Sequence, residues 1–288
     1  MKKITFTKKQ KTIGTVFLVV LVLFTAWVLW ANTALTVTNV TLTEENLPEV
    51  FDGYKIAHIS DLHDGEMGKD NIKLLEALKE AQPDIIVFTG DMVDSRRIDV
   101  SLTLRFAEGA VEIAPCYYIP GNHESRIPEE YEKLKAGLKS AGVTILENTI
   151  AEIKKDGEKI TIAGVIDPAF DESADQSVYP DVMRGFLTSL PERDGYAVLL
   201  SHRPELFDVY REAGFDLVLT GHAHGGQARL PFFGAVYVPS QGWFPKYTEG
   251  VYTEELTDMV ISRGIGNSSV PIRFNNRPEL IIIELKTK

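Results

Sequence analysis

The sequence predicts an α/β domain carried on an N-terminal membrane tether, and three observations predict it. Short apolar runs rich in β-branched residues alternate with helical periodicities through most of the chain, the pattern of a largely parallel sheet covered by helices. A charge-free apolar stretch precedes them. Five of the six histidines lie in short motifs that begin where an apolar run stops, so consecutive strands can deliver them to one crevice.

The tether comes first. Residues 1–11 carry Lys2, Lys3, Lys8, Lys9 and Lys11 with no acid, and form a basic tail. Thr12 to Ala31 holds no charge and ends with Trp27 and Trp30. About 20 residues at roughly 1.5 Å each match a hydrocarbon core of about 30 Å. The lysines hold their end in the cytoplasm and the tryptophans suit the far interface, so the body is expected outside the cytoplasm. Small residues at Ala31 and Ala34 leave a cleaved signal peptide as the competing reading. The stretch exceeds the roughly 7–15 residues of a signal h-region, which favours a retained, single-pass cell-membrane anchor at 12–31.

Residues 32–53 read as a connector with an extended stretch at Leu35–Leu42. The domain follows over 54–288. Tyr54–Ser60 reads as a strand and Asp70–Ala81 as a helix with apolar Ile72, Leu74, Leu75 and Leu78. The unbroken apolar run Asp84–Thr89 fits a strand buried on both faces. A helix over Val100–Ile113, a strand at Tyr117–Ile119 and a helix over Pro128–Ala141 come next. Thr149–Lys154 and Lys159–Val165 flank Asp156-Gly157 as a hairpin. Residues 166–190 are acidic and read as an irregular excursion or lid. Ala197–Leu200 and Asp216–Thr220 are strands around a helix at Pro204–Ala213, and the tail from Ala235 holds further strands, including Leu280–Leu285.

Composition narrows the function. At 288 residues, 44% hydrophobic and 25% charged, the chain is ordinary for a globular protein. Without the tail's five lysines the 30 basic residues become 25 against 41 acids, a net charge of −16. No nucleic-acid partner is expected of so acidic a body. A phosphorylated substrate remains open, because bound dications invert the local field. Cys116, the single cysteine, allows neither an internal disulfide nor a thiolate metal site, and its apolar run makes it a small core residue.

The chemistry lies in five motifs: Ser60-Asp61-Leu62-His63, Gly90-Asp91, Gly121-Asn122-His123-Glu124, Ser201-His202 and Gly221-His222-Ala223-His224. They follow Ile59, Thr89, Ile119, Leu200 and Thr220. Gly90, Gly121 and Gly221 permit close backbone approach where the chain leaves the sheet. The motifs supply imidazole, carboxylate and amide oxygen. Asp61 and His63 can share one ion, and Asp91 is suited to bridge two. Mixed nitrogen and oxygen donors suit Mn, Fe, Zn, Ni or Co over Ca or Mg. Two such ions activate water near neutral pH and clamp phosphoryl oxygens.

In that order the motifs resemble the calcineurin-like metallophosphoesterase superfamily, over about residues 54–285. The anchor, with Ser262-Arg263-Gly264-Ile265-Gly266 and Pro271-Ile272-Arg273-Phe274, is similar to its small membrane-anchored bacterial branch. The resemblance implies a four-layer α/β/β/α sandwich with a dinuclear site. It implies one ion on Asp61, His63, Asp91 and His224, and another on Asp91, Asn122, His202 and His222. His123 matches a non-ligand histidine that contacts the phosphate and protonates the leaving group. The tyrosine that purple acid phosphatases place after Gly-Asp is absent from Gly90-Asp91-Met92-Val93-Asp94, so no tyrosinate–iron bond is expected.

Other residues read more plainly. His123 also has the bland role of orienting Asn122. His58 is structural, and Glu124 and Asp94 form hydrogen bonds or ion pairs beside the site. Arg126 and Arg273 either contact an anionic substrate or serve the fold. Trp243, Phe244 and Tyr247 border the cleft or fill a core corner. The expected function is hydrolysis of phosphate esters, phosphodiesters or pyrophosphates foremost, through a metal-bridging hydroxide at the outer membrane face, with Asp91 and His123 catalytic. The substrate is a phosphorylated small molecule or lipid. A narrower reading makes it a lipid-linked or cell-envelope pyrophosphate; a third makes the site a metal-binding scaffold without turnover.

Overall fold

A computed structural model describes residues 7–268 and 272–288. Residues 1–6, with Lys2 and Lys3 of the basic tail, and Pro271 of the tail motif lie outside the described residues. The chain opens with helix α1, Lys8–Thr33, whose first turn is closed by reciprocal capping between Thr7 and Gln10. It is apolar all round and exposed along nearly its whole length, and it is long and apolar enough to cross a membrane.

Its last turn is fixed to the body. Asn32 donates through its amide to the Arg273 carbonyl (2.9 Å) and accepts from the Arg273 N–H (2.7 Å). Trp27 meets Phe274 edge-on at 5.2 Å. The Arg277 guanidinium lies over the Trp30 ring and donates to the carbonyls of Ala34 and Leu35.

Then follow β1 (Thr36–Glu44), β2 (Lys55–Ile59), α2 (Ile72–Ala81), β3 (Ile85–Thr89), α3 (Val100–Val111), β4 (Cys116–Ile119), α4 (Pro128–Ala141) and β5 (Thr144–Ile145). The hairpin of β6 (Thr149–Lys155) and β7 (Glu158–Gly164) leads to α5 (Tyr179–Ser189), β8 (Ala197–Leu200), α6 (Phe207–Glu212) and β9 (Leu217–Thr220). Four two-residue strands, β10 (Arg229–Leu230), β11 (Gly234–Ala235), β12 (Tyr237–Val238) and β13 (Gly242–Trp243), form two small ribbons. The chain closes with β14 (Gly250–Glu254), β15 (Thr257–Ile261) and β16 (Glu279–Thr287).

Two six-stranded sheets result, ordered β1-β16-β2-β3-β4-β5 and β14-β15-β9-β8-β7-β6. Strands β2 to β5 run parallel, as do β7, β8, β9 and β15. Strict alternation along the strands divides the core into three layers. In β3, Phe88 turns toward α2, α3 and α4 with Leu74, Phe106 and Leu134, while Val87 turns inward with Ile162, Val198 and Leu217. The far face of the second sheet packs Leu199 and Val218 on Met183, Phe207 and Tyr210. This is the four-layer α/β/β/α sandwich.

Two segments differ from their sequence reading. The extended stretch of the connector is a full sheet strand, β1, paired parallel with β16 from Thr36↔Glu279 to Glu44↔Thr287. Within 166–190, residues Tyr179–Ser189 are helical: Pro180 starts the helix, and Met183 and Leu187, four apart, are buried. The surrounding acids hide that short apolar stripe; only 166–178 is irregular beyond one short 3-10 turn.

Phe88 stands two residues before Gly90, so the packing between helices and sheet and the site are coupled through one strand. Phe88→Ala should lower unfolding stability by about 3–5 kcal/mol, read by urea denaturation of the full chain; a loss below about 1 kcal/mol would contradict this core assignment.

Candidate metal centre

The loops after β2, β3, β4, β8 and β9 meet at one end of the two sheets. Backbone hydrogen bonds lock them: Asp61 N–H to the Gly90 carbonyl (3.0 Å), His63 N–H to the Asp91 carbonyl (3.0 Å) and Gly221 N–H to the His202 carbonyl (3.1 Å). Asp61, His63, Asp91, His222 and His224 all have positive φ, between 46° and 64°. Each such residue costs on the order of 1–3 kcal/mol and persists only where its surroundings over-determine it. Glycine is needed at two close approaches: a Cβ on Gly121 would strike the Asp91 carboxylate, and one on Gly221 would strike Ser60 and Asp61.

The main tie is Glu124. Its buried carboxylate accepts from the N–H groups of Asp91 (2.9 Å), Met92 (2.8 Å), Val93 (3.2 Å) and Gly121 (2.8 Å), fastening the loop after β3 to the loop after β4. Burial pushes this carboxyl up to about 7, against the pull of those donors.

All seven predicted ligand residues come together. Asp61 Oδ1 lies 3.2 Å from His224 Nε2 and 3.8 Å from His63 Nε2, and the two ring nitrogens are 3.0 Å apart. Asp91 Oδ2 lies 3.2 Å from His202 Nε2 and 3.6 Å from His63 Nε2, between the two groups. His222 Nδ1 is 3.2 Å from His202 Nε2, and one terminal amide atom of Asn122 sits 2.8 Å from His222 Nδ1.

The donor set fits cations, and His202 shows why. Its Nδ1 is 2.7 Å from the Thr89 carbonyl, which can only accept, so Nδ1 carries the proton. In the neutral ring the Nε2 lone pair then faces a carboxylate and a second imidazole. That arrangement is repulsive unless a cation lies between them, and a carbonyl-anchored histidine is the usual support of a metal ligand. Burial pulls the His202 pKa down, yet Asp91 outweighs it and pushes the ring up to about 10. Burial likewise opposes ionisation of Asp61 and Asp91, but the neighbouring imidazoles, His224 first for Asp61 and His202 for Asp91, hold both far below the usual carboxylate range.

His123 stands beside this group with Nε2 at 4.0 Å from Asp91 Oδ2. Its Nδ1 accepts from the Ser95 N–H at 3.1 Å, so the neutral ring carries its proton on Nε2. Burial lowers its pKa to about 4, which keeps it neutral at physiological pH. Its backbone N–H donates to Asp91 Oδ1 at 2.7 Å.

The remaining residues sort themselves. His58 is buried against Thr89 Oγ1 (2.8 Å) and Cys116 is buried in the helix-side core. Asp94 pairs with Arg96 and lies 3.5 Å from His123 Nδ1. Arg126 lines the open cavity over the site, whose volume is about 630 Å³. Arg273 is wholly buried, reaching His224 Nδ1 (3.4 Å) and the Arg263 carbonyl (2.8 Å). The aromatic trio divides: Trp243 borders the cavity, Phe244 is exposed and Tyr247 packs on Phe207.

Sequence reasoning missed Arg203. It is buried, held by Asp167 through two hydrogen bonds (2.8 and 3.1 Å), and sets Nη1 3.2 Å from His222 Nε2 at the cavity wall. Its one sequence signal is its place directly after Ser201-His202; Asp167, 36 positions away, carries none.

Comparison with known proteins agrees with this geometry. The family described as calcineurin-like phosphoesterase matches residues 54–226. The Bacillus subtilis metallophosphoesterase YkuE is 31% identical, over 87% of this chain and 85% of its own. The Escherichia coli phosphodiesterase YaeI is 30% identical, over 81% of this chain and 82% of its own. Among solved structures, TT1561 of Thermus thermophilus superimposes with a TM-score of 0.50 at 14% identity, covering 74% of this chain and 90% of that one, a likeness of fold.

Because Glu124 holds the loops without reaching the ring nitrogens, Glu124→Ala should weaken metal affinity by about 10–100-fold. Metal titration with elemental analysis of folded protein reads this directly; unchanged affinity would mean the loops are held by other means.

Proposed function

Because this chain belongs to the calcineurin-like phosphoesterase family, whose members are dinuclear metal-dependent enzymes, we infer that its seven converging donors hold two ions around a shared Asp91. The protein is a metal-dependent phosphoric ester hydrolase. In this reading one ion takes Asp61, His63, Asp91 and His224, and the other takes Asp91, Asn122, His202 and His222. The supporting observation is the place of Asp91 Oδ2, within 3.2–3.6 Å of a ring nitrogen from each group. When bound, two such ions supply an activated water and neutralise charge on the phosphoryl oxygens during in-line displacement. Mn, Fe, Zn, Ni and Co all match the donors.

The chain's own residues do the rest. Asp91 fixes the spacing of the two groups. Arg203 and Arg126, both on the cavity wall, draw in and orient an anionic ester. His123, neutral and with its proton on Nε2, donates a hydrogen bond to the departing oxygen and stabilises the charge that builds there. A scaffold without turnover would have no use for that preset tautomer.

The E. coli relative's name as a phosphodiesterase supports phosphodiesters, with pyrophosphates, as the substrate class. The layout we propose is a basic tail at 1–11, an anchor at 12–31 and the catalytic domain at 54–288, with the connecting residues 32–53 contributing strand β1 to its first sheet. Lysines before the anchor and tryptophans at its end support a catalytic domain on the outer face of the membrane.

The test uses the full chain in detergent, with its metals quantified, acting on bis-p-nitrophenyl phosphate. Chelation should abolish turnover and Mn should restore it; turnover indifferent to chelator would refute the reading. His123→Ala should lower kcat by about 10²–10³-fold while metal content stays constant. An unchanged kcat would instead favour a purely structural His123.

A further inference from the structure

Beyond the anchor, the exposed phenylalanines and tryptophan among the described residues all fall within 232–244: Phe232, Phe233, Trp243 and Phe244. Phe232 is fully exposed and the other three are each more than 60% exposed. Soluble proteins rarely expose such a cluster without a partner. Phe232 and Phe244 also have φ of 70° and 51°, which bulky residues rarely adopt, at turns that leave their rings in solvent. Residues 229–244 carry one charge, Arg229, and no acid, within an otherwise acidic body.

What covers this surface is indicated by what it is tied to. Arg229 N–H donates to the Phe274 carbonyl (3.0 Å) and Phe274 N–H to the Gln227 carbonyl (3.1 Å). Val236 N–H then donates to Ala228 (3.3 Å) and Phe244 N–H to Val236 (2.9 Å). Phe274 is the residue on which Trp27 of α1 packs, and Asn32 brackets the adjacent Arg273. A short hydrogen-bonded ladder therefore joins the aromatic segment to the end of the membrane helix, where the bilayer surface must lie. The same segment supplies Val236, Tyr237 and Trp243 to the cavity that Asp91 and His123 also line, with Ala228 just before it.

We propose that residues 229–244 form a wedge that enters the interfacial layer of the bilayer beside the anchor, and that the cavity takes its phosphoester from that layer. The substrate is an amphiphile: its acyl or polyprenyl chain lies along the apolar wall and its phosphate reaches the metal centre. The bilayer suits the surface because it accepts aromatic rings at headgroup depth and meets no carboxylate on the way in. This substrate class rests on the phosphoesterase reading above; the wedge itself does not.

Two measurements on the full chain in lipid nanodiscs decide it. With Trp27→Phe and Trp30→Phe, Trp243 is the sole remaining tryptophan of the three. Brominated lipids should then quench its emission by about half or more, and emission equal to that in unbrominated lipid overturns the wedge. Separately, a Phe232→Ser, Phe233→Ser variant should cleave soluble bis-p-nitrophenyl phosphate within about twofold of the parent, since neither side chain lines the cavity. Its turnover of phosphatidylglycerol or a polyprenyl pyrophosphate in the same discs should fall by about tenfold or more. A parent that cleaves the soluble diester but neither lipid overturns the substrate assignment. If metal-loaded parent leaves even the soluble diester intact, the hydrolase reading falls and takes that assignment with it, while quenching still judges the wedge.

Discussion

Two fully buried carboxylates, Asp61 and Asp91, packed among imidazoles, set the terms for this molecule. Ionised groups out of water are tolerated only with matching charge and hydrogen bonds, and both carboxylates are held firmly ionised. The surrounding histidines answer that charge in part, and His202 does so by keeping a proton that its neutral form would not hold. Cations answer it better, because one ion satisfies several lone pairs that otherwise face one another. Much of the local backbone follows from this demand. Left-handed residues, glycine contacts and the Glu124 tie bring oxygen and nitrogen atoms to separations that side chains alone would resist.

The sandwich makes such a demand tolerable. Parallel strands buried on both faces end at the same level, so five loops start from a rigid base and few torsions separate each ligand from the sheet. Glu124 then converts two independent loops into one unit, and the Ser95 N–H sets the tautomer of His123. Arg203 joins the opposite side, its charge stabilised by Asp167. The cavity consequently has a cationic wall beside a metal-ligating floor, which suits anions with a phosphate centre.

The N-terminal apolar helix is part of the same construction. Arg273, wholly buried, sits between Asn32 at the end of α1 and His224 at the metal centre. The segment that carries it also hydrogen-bonds the aromatic excursion at 227–229. The N-terminal apolar helix and the metal-centre residues are thus linked over a handful of contacts.

The five motifs, their positions after apolar runs and the long apolar N-terminal helix were all legible in the amino-acid order, because strand burial and ligand chemistry leave local signals of period and residue type. The ordered motifs were enough to name the family and its layered fold. Helix α5 escaped, since its two buried residues, Met183 and Leu187, are too few to outweigh the acids around them. The connector's strand escaped in part, because its partner β16 lies at the other end of the chain. Arg203, paired with Asp167, and Glu124 as the tie between loops depend on contacts across long separations. Local sequence sets which side chains are present and how they alternate; only tertiary packing decides which distant atoms meet. The donors were therefore readable as a set, while their spacing, the proton on His202 and the contacts from α1 to the cavity belonged to the folded chain alone.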